Sequence, residues 1–404
     1  MVYAAVLGYG TVGSGVVEVL EKNSARIAEK VGEDIKVKYV LDLRDFPGDP
    51  IQDRVVHDFE VILNDPEVKI ICETMGGNEP AYTFSKKALL AGKSVCTSNK
   101  ELVANHGPEL LRLARENKCN YMFEASVGGG IPIIRPLNSS LTAEELDTIT
   151  GILNGTTNYI LTRMAREGAD FEDVLKEAQA KGYAEKDPTA DVEGYDACRK
   201  IAILSSLMTG KTVDYREIYT EGISKITAED FAYAAAMNRS IKLLAMSKVV
   251  EDGCFAMVAP FMIPSENPLY GVNDVFNAVF VHGNMVDNTM YYGRGAGKLP
   301  TASAVVSDVI DCARHIGKTV ICRWSEEKQP LLDISVTKRR FFVRTSAGAE
   351  NERKAVEVFG GVSVIETPQI KGEFAFVTDE MSEKEFAEKL AKLDGVITRI
   401  RLED

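Results

Sequence analysis

No CxxC pair occurs in this chain, and its seven cysteines, at positions 72, 96, 119, 198, 254, 312 and 322, are odd in number. That excludes a disulfide scaffold and a paired-thiol zinc site, and the thiols are expected to be reduced structural residues. Histidine is equally sparse: His57, His106, His282 and His315 show no HExxH-type spacing, so a catalytic zinc is not expected. Neither a GxSxG nucleophile turn nor a cysteine–histidine pattern is present. No run approaches the roughly 20 apolar residues of a membrane span, and the first residues lack the charged segment, apolar core and cleavage site of a secretory leader. A cytoplasmic protein with no membrane partner is the expectation. Positive charge is the last scarcity. The 47 basic and 60 acidic residues leave a formal net charge of −13, which opposes nucleic acid and anionic lipid alike. A small-molecule ligand fits better.

What the chain does have begins at its N-terminus. Val2–Leu7 reads as a short buried strand, and Gly8-Tyr-Gly-Thr-Val-Gly13 opens a helix that is apolar at Val12, Val16, Val17 and Leu20. In such a turn the first glycine permits the bend, the second lets the backbone approach a pyrophosphate, and the third allows close helix packing. The helix N-terminus offers its unpaired N–H groups to the anion. Gly8, Gly10, Thr11, Val12 and Gly13 are therefore candidate cofactor-binding residues. The next strand ends at Asp42-Leu-Arg44, further along than the roughly 20 residues usual for the ribose-reading acid. An acid there suits a 2′-hydroxyl and an arginine suits a 2′-phosphate. Both are present, so the choice stays open, with Arg44 tilting it toward NADP.

At 404 residues the chain should hold two or three domains, because single cores rarely grow beyond about 250–300 residues. Strands and helices alternate through the first third: Lys69–Cys72, a helix near Pro80–Ala91, Ser94–Thr97, a helix near Pro108–Glu116, then Tyr121–Phe123. This rhythm implies an α/β fold of the Rossmann type, a doubly wound parallel sheet with ligands bound beyond the carboxyl ends of its strands. Thr74 and Met75 sit at one such end and Lys100 at another. The segment Glu124-Ala-Ser-Val-Gly-Gly-Gly-Ile-Pro132 reads first as a flexible crossover. Its second reading is a ring of oxygen ligands around a monovalent cation. From Leu146 the pattern becomes mixed α+β, and near 291–303 a further glycine-rich stretch, including Gly297, precedes an apolar helix expected over Ala304–Ile316. Residues 323–338 look like a linker. The tail reads strand, helix, strand, strand, helix, strand from Arg340 to Arg401, a ferredoxin-like unit.

One block resists a purely structural explanation. Gly182-Tyr-Ala-Glu-Lys-Asp-Pro-Thr-Ala-Asp-Val-Glu-Gly-Tyr-Asp-Ala-Cys-Arg-Lys200 gathers carboxylates and a lysine where a helix turns apolar. Asp196 and Lys200 stand four apart, in line with Val192, Ile203 and Leu207, and should point inward. A solvated i,i+4 pair is the common outcome of such spacing, but an otherwise apolar stripe argues for function. Glu185, Asp187 and Asp191 precede the helix in a loop where a substrate ammonium group would meet several carboxylates.

In order along nearly its whole length, the Gly8–Gly13 turn, Thr97-Ser-Asn-Lys100-Glu, Glu124–Pro132, Gly151-Ile-Leu-Asn-Gly-Thr-Thr-Asn-Tyr159, the Gly182–Lys200 block and Gly293–Gly297 resemble the monofunctional homoserine dehydrogenases. The resemblance implies NAD(P)-dependent interconversion of L-homoserine and L-aspartate 4-semialdehyde in threonine and methionine biosynthesis. It implies Lys200 as the proton-transfer residue with Asp196 as its partner, Glu185, Asp191 and Lys100 as substrate ligands, and Lys100 also near the coenzyme. It raises the cation reading, with sodium held by Glu124 and the backbones of Val127, Gly129 and Ile131. The implied domains are a dinucleotide-binding domain over 1–135 with 298–322 returning to it, a substrate and dimerisation domain over 136–297, and an ACT-like domain over 339–404. A homodimer or homotetramer is expected. The usual Asp-x-Pro-Gly turn of ACT modules is replaced by Thr345-Ser-Ala-Gly-Ala-Glu350, which puts threonine sensing in doubt and leaves an assembly role equally open. The competing readings are another NAD(P)-dependent amino-acid dehydrogenase and a non-catalytic NADP sensor.

Overall fold

Six parallel strands carry the first of two units into which the chain divides in the computed structural model, which describes residues 1–403. This unit comprises Met1–Leu146, Ala202–Tyr215 and His282–Gln329. Its strands are β1 (Val2–Leu7), β2 (Ile35–Leu41), β3 (Val55–Val56), β4 (Val68–Glu73), β5 (Ser94–Thr97) and β6 (Tyr121–Met122). They lie in the order β3-β2-β1-β4-β5-β6, the Rossmann order, with its reversal between β1 and β4. Ala4–Leu7 and Ile70–Cys72 are fully buried, as expected of parallel strands covered on both faces.

Two helices start earlier than the sequence suggests. The helix expected near Pro108 runs Lys100–Glu116, because Asn99 caps it by accepting the Leu102 N–H at 3.1 Å. Pro108 lies inside, where it forfeits one backbone bond without ending the helix. The second runs Lys298–Arg314 rather than from Ala304, with Gly297 as its N-cap at φ +127° and Pro300 in its first turn. It packs against the helix Thr11–Lys22 at Gly15, where an added Cβ would lie 2.9 Å from that of Ala302.

The second unit comprises Asp147–Ile201, Arg216–Val281 and the residues from Pro330 onward. Its central hairpin pairs Arg239–Val250 with Gly253–Pro264, flanked by Leu146–Ile152. The tail forms the expected βαββαβ element. Its strands are Phe341–Ser346, Val362–Val364, Glu373–Thr378 and Val396–Leu402, and its helices Ala349–Phe359 and Glu383–Leu390. Phe341, Phe359, Phe376 and Phe386 fill its own core.

This element is no loose appendage. Val396–Leu402 pairs in parallel with Gly253–Pro264, Phe261 opposite Arg401 and Met262 opposite Leu402, so one sheet runs from the hairpin into the tail. Buried charges reinforce the junction. Arg344, 2% exposed, donates to Asp230 at 2.6 Å and grips both oxygens of Glu373, while Arg401 joins Glu221 and Glu383. The stretch expected to be a linker is also ordered. Trp324 stacks against Gly107, where any Cβ would meet its ring at 2.7 Å, and Leu332 donates its N–H to the Cys254 carbonyl.

Candidate functional site

At the carboxyl end of β1 the chain turns through Gly8, whose φ of +90° suits glycine alone. A Cβ on Gly13 would lie 1.9 Å from the Gly8 carbonyl oxygen, so helix and turn meet only because position 13 is bare. Gly10 has the opposite surroundings: an added Cβ would meet no atom within 4 Å. Gly10 is also the N-cap of the helix Thr11–Lys22, and no side chain caps it. The helix start thus has no side-chain cap and open space beside Gly10, and the turn fits a pyrophosphate.

The neighbouring strand ends assemble around this turn. Thr74 donates its hydroxyl toward the carbonyls of Leu7 and Gly8, both at 2.9 Å, and Met75 lies against Gly8. Asp42 accepts the Tyr9 N–H at 2.8 Å and forms a two-pronged pair with Arg44, through Nε and Nη2 at 3.0 Å each. The Arg44 guanidinium holds the Asp42 carboxyl well below the usual carboxylate range. The acid and the base that compete for the ribose in the sequence are therefore bonded to each other. Lys100 opens its helix next to Asn99, whose side-chain amide reaches the Gly77 carbonyl at 2.5 Å.

Glu124 is buried, and its carboxylate accepts the backbone N–H groups of Ile133, Ile134 and Arg135 at 2.6–2.8 Å. The Arg135 guanidinium stands 3.6 Å from Oε2. Those three bonds leave one further acceptor direction on the carboxylate. Val127 and Ile131 are buried beside it, and Gly129 has φ +57°. The glycines have a packing reason as well: a Cβ on Gly129 would lie 2.2 Å from the Gly295 carbonyl, and one on Gly130 would strike Pro300. The segment is a packed crossing of two backbones rather than a flexible link. Among the described residues, no three His, Cys, Asp or Glu side chains gather as a metal site.

In the second unit, Lys200 lies on the helix Tyr195–Thr209, and only 9% of it is exposed. Its Nζ contacts Asp196 Oδ2 at 2.7 Å and donates to the Leu153 carbonyl at 2.9 Å. The inward i,i+4 pair read from the sequence is present. Val192 is not on that helix: it closes the short helix Thr189–Val192, and Gly194 at φ +82° breaks the stripe before Tyr195. Asp191 arrives by another route, through Asn154. The Asn154 amide donates to Asp191 at 2.7 Å and to Asp196 at 2.9 Å, while its carbonyl accepts the Thr157 N–H and caps the helix Gly155–Glu167. Glu185 stands exposed in the preceding loop, and among the described residues no bond joins its carboxylate to this cluster. Asn154 is the residue that sequence reasoning passed over. Its signal was an asparagine directly before a helix start, which explains a cap but not the bridge between two acids.

The chain as a whole has relatives among known proteins. Residues 8–124 match the family model described as homoserine dehydrogenase, NAD binding domain, and residues 132–310 match the one described as homoserine dehydrogenase. A homoserine dehydrogenase of Bacillus subtilis is 38% identical over 97% of this chain and 94% of its own length. The crystal structure of a homoserine dehydrogenase from Thiobacillus denitrificans superposes with a TM-score of 0.91 at 36% identity, covering 100% of this chain and 98% of that one. A hyperthermophilic archaeal homoserine dehydrogenase in complex with NADPH gives a TM-score of 0.66 at 29% identity, over 77% of this chain and 97% of that one. With two consecutive family models and a near full-length relative in agreement, the chain belongs to the homoserine dehydrogenase family.

Proposed function

We propose that this chain interconverts L-homoserine and L-aspartate 4-semialdehyde with a nicotinamide coenzyme, and that Lys200 moves the proton. The observation that carries this reading is the buried Lys200–Asp196 pair. A lysine with two of its three hydrogen-bond directions taken by Leu153 and Asp196 keeps one for a substrate oxygen. The bound coenzyme supplies the hydride acceptor or donor. Lys200 takes the hydroxyl proton of homoserine, or returns it to the aldehyde oxygen in the opposite direction, and general acid–base help of this kind is worth about 100- to 10,000-fold. Asp196 keeps the ammonium group oriented, and Asn154 fixes Asp196 and Asp191 together. Asp191, with Glu185 from the adjacent loop, binds the ammonium end of the substrate, which needs carboxylates.

NADP is the proposed coenzyme, with NAD as the second acceptor. Arg44 is exposed, bonded to Asp42 and the Tyr9 carbonyl and lying over the Phe46 ring, so a 2′-phosphate can draw it away, while Asp42 remains to accept a 2′-hydroxyl. The NADPH of the archaeal relative supports the same choice. Glu124, with the backbones of Val127, Gly129 and Ile131, would hold a monovalent cation such as sodium at its one open oxygen direction. A divalent ion finds too few charged ligands there. We assign the enzyme to the cytoplasm as a homodimer or homotetramer, with the ferredoxin-like, ACT-like tail serving assembly and responding weakly or not at all to threonine.

Homoserine-dependent reduction of NADP and NAD by the purified protein tests the activity, and its absence with both would overturn it. Arg44→Ala tests the coenzyme reading: NADP should weaken by about tenfold, as for a lost charged hydrogen bond, and NAD by far less. Equal weakening would remove Arg44 from the 2′-position.

A further inference from the structure

Glu73 has no role in the chemistry above, yet it is the last residue of β4, at the reversal point of the sheet. In register it faces Leu7 of β1 on one side and Thr97 of β5 on the other. Its exposure is 0%. A carboxylate buried this deeply is costly unless its oxygens are satisfied. Here they are: Thr97 donates its hydroxyl at 2.6 Å, Met75 its backbone N–H at 2.8 Å, and the Gly76 N–H and the Asn99 side chain add to these. Burial pushes the Glu73 pKa up and these donors pull it back.

The donors are Thr97, the last residue of β5, and residues of the two turns that follow β4 and β5. The turn after β4 runs through Gly76 and Gly77 with φ of +80° and +71°, and the turn after β5 ends at the Asn99 cap. Thr97 also accepts the Asn99 N–H, and Asn99 donates to Gly77, so both loops close on the one carboxylate. The first loop carries Thr74 and Met75, which touch the Gly8 turn, and the second carries Lys100. A core built only for stability would do as well with an apolar side chain here, because buried charges rarely add net stability. The purchase of this one is at the ligand-facing ends of three strands.

We propose that Glu73 is a positioning residue for the nicotinamide half of the coenzyme, acting through the Thr74–Gly77 turn and the Asn99–Lys100 helix start without touching the ligand. This rests on the homoserine dehydrogenase reading, but its test does not need turnover. Glu73→Gln, made in the full chain, keeps the shape and sets an amide N–H₂ against a donor. Direct titration should show the complete dinucleotide, NADPH, bound about tenfold more weakly, the effect expected for a lost hydrogen bond to a charged group. ADP-ribose, which lacks the nicotinamide and the 2′-phosphate and relies on the Gly8–Gly13 turn and Asp42, should bind Glu73→Gln within about twofold of the parent, and the melting temperature should move by only a few degrees. Should Glu73→Gln fail to fold, Thr97→Val removes one donor and should show the same split at about threefold. Unchanged NADPH affinity, or equal weakening of NADPH and ADP-ribose, overturns the proposal. A parent protein that binds NADPH but never oxidises homoserine would instead overturn the functional reading and leave this one standing.

Discussion

The two units handle a charged ligand by opposite means. In the first, the main chain makes the site: a bare Gly10, a crowded Gly13 and a helix end that no side chain caps. In the second, side chains make it: Lys200, Asp196, Asp191 and Asn154 form one bonded cluster, with the lysine and Asp196 nearly sealed from solvent. A phosphate arrives with its own full charge and needs only oriented dipoles. A hydroxyl proton must be moved to a particular atom, which takes a titratable group held still. The second unit buries further ion pairs, at Arg344–Asp230 and Arg401–Glu383, whereas the first settles its buried Glu73 and Glu124 largely on backbone N–H and hydroxyl donors.

If that division is right, Lys200→Ala should have the largest effect of any single change. The expected loss is about 100- to 10,000-fold in kcat, with coenzyme affinity changed by less than about twofold, because the pyrophosphate turn owes nothing to this lysine. Steady-state kinetics beside a direct coenzyme titration separates the two numbers. Near-normal kcat at saturating homoserine would end the proton-transfer assignment.

Ending the chain before Lys338 tests how far the second unit's buried charges are structural. The sequence reads its tail as a separable module, whereas the sheet continues into it. Truncation would strip Phe261 and Met262 of their partners on one side, Arg401 and Leu402, and leave Asp230, fully buried, without Arg344. Because an orphaned buried charge costs several kcal/mol, the melting temperature should drop by roughly 10 °C or more. A melting curve that matches the full chain would show that the tail is an appendage after all.

The glycine turn offers a sharper contrast on the other side. Gly13→Ala drives a Cβ into the Gly8 carbonyl, so melting temperature and coenzyme affinity should both fall. Gly10→Ala meets no protein atom, so the melting temperature should hold while the methyl group blocks the approach of the ligand, at a cost of at least about tenfold in affinity. Two alanines that behave alike would mean that the turn is built for folding and not for binding.

How much of this was legible follows the same division. Glycine spacing and strand–helix rhythm are local, and they placed the parallel sheet, Gly8–Gly13 and the strand ends at Thr74 and Lys100. The Asp196–Lys200 pair was legible for the same reason, because a charged pair on an apolar helix face shows within five residues. What the sequence hid depends on partners far along the chain. Asn154 meets acids some forty residues later, Glu73 meets Thr97 and Asn99 across a strand, and Arg401 joins a sheet edge at Phe261. The helix start at Lys100 was missed because interior Pro108 outweighed the Asn99 cap.

A change in pH probes how the second unit carries a buried amine. Lys242, 1% exposed, donates among the described residues to neutral oxygens: the Val272 carbonyl at 2.5 Å and the side chains of Asn273 and Asn158. Burial, aided by Arg166, pulls its pKa down to about 8. Since an unfolded lysine titrates near 10.4, the folded protein gives up this proton first. The stability tied to neutral Lys242 is therefore complete above the unfolded value and is lost as pH falls through about 8. Lys242→Met has no such proton. Measured by chemical denaturation, the stability difference between the two proteins should move in favour of the parent by roughly 2–3 kcal/mol between about pH 7 and about pH 10. A difference that stays flat over that range would show that Lys242 remains charged inside the fold, and that this unit holds an ammonium group on carbonyl and amide oxygens alone.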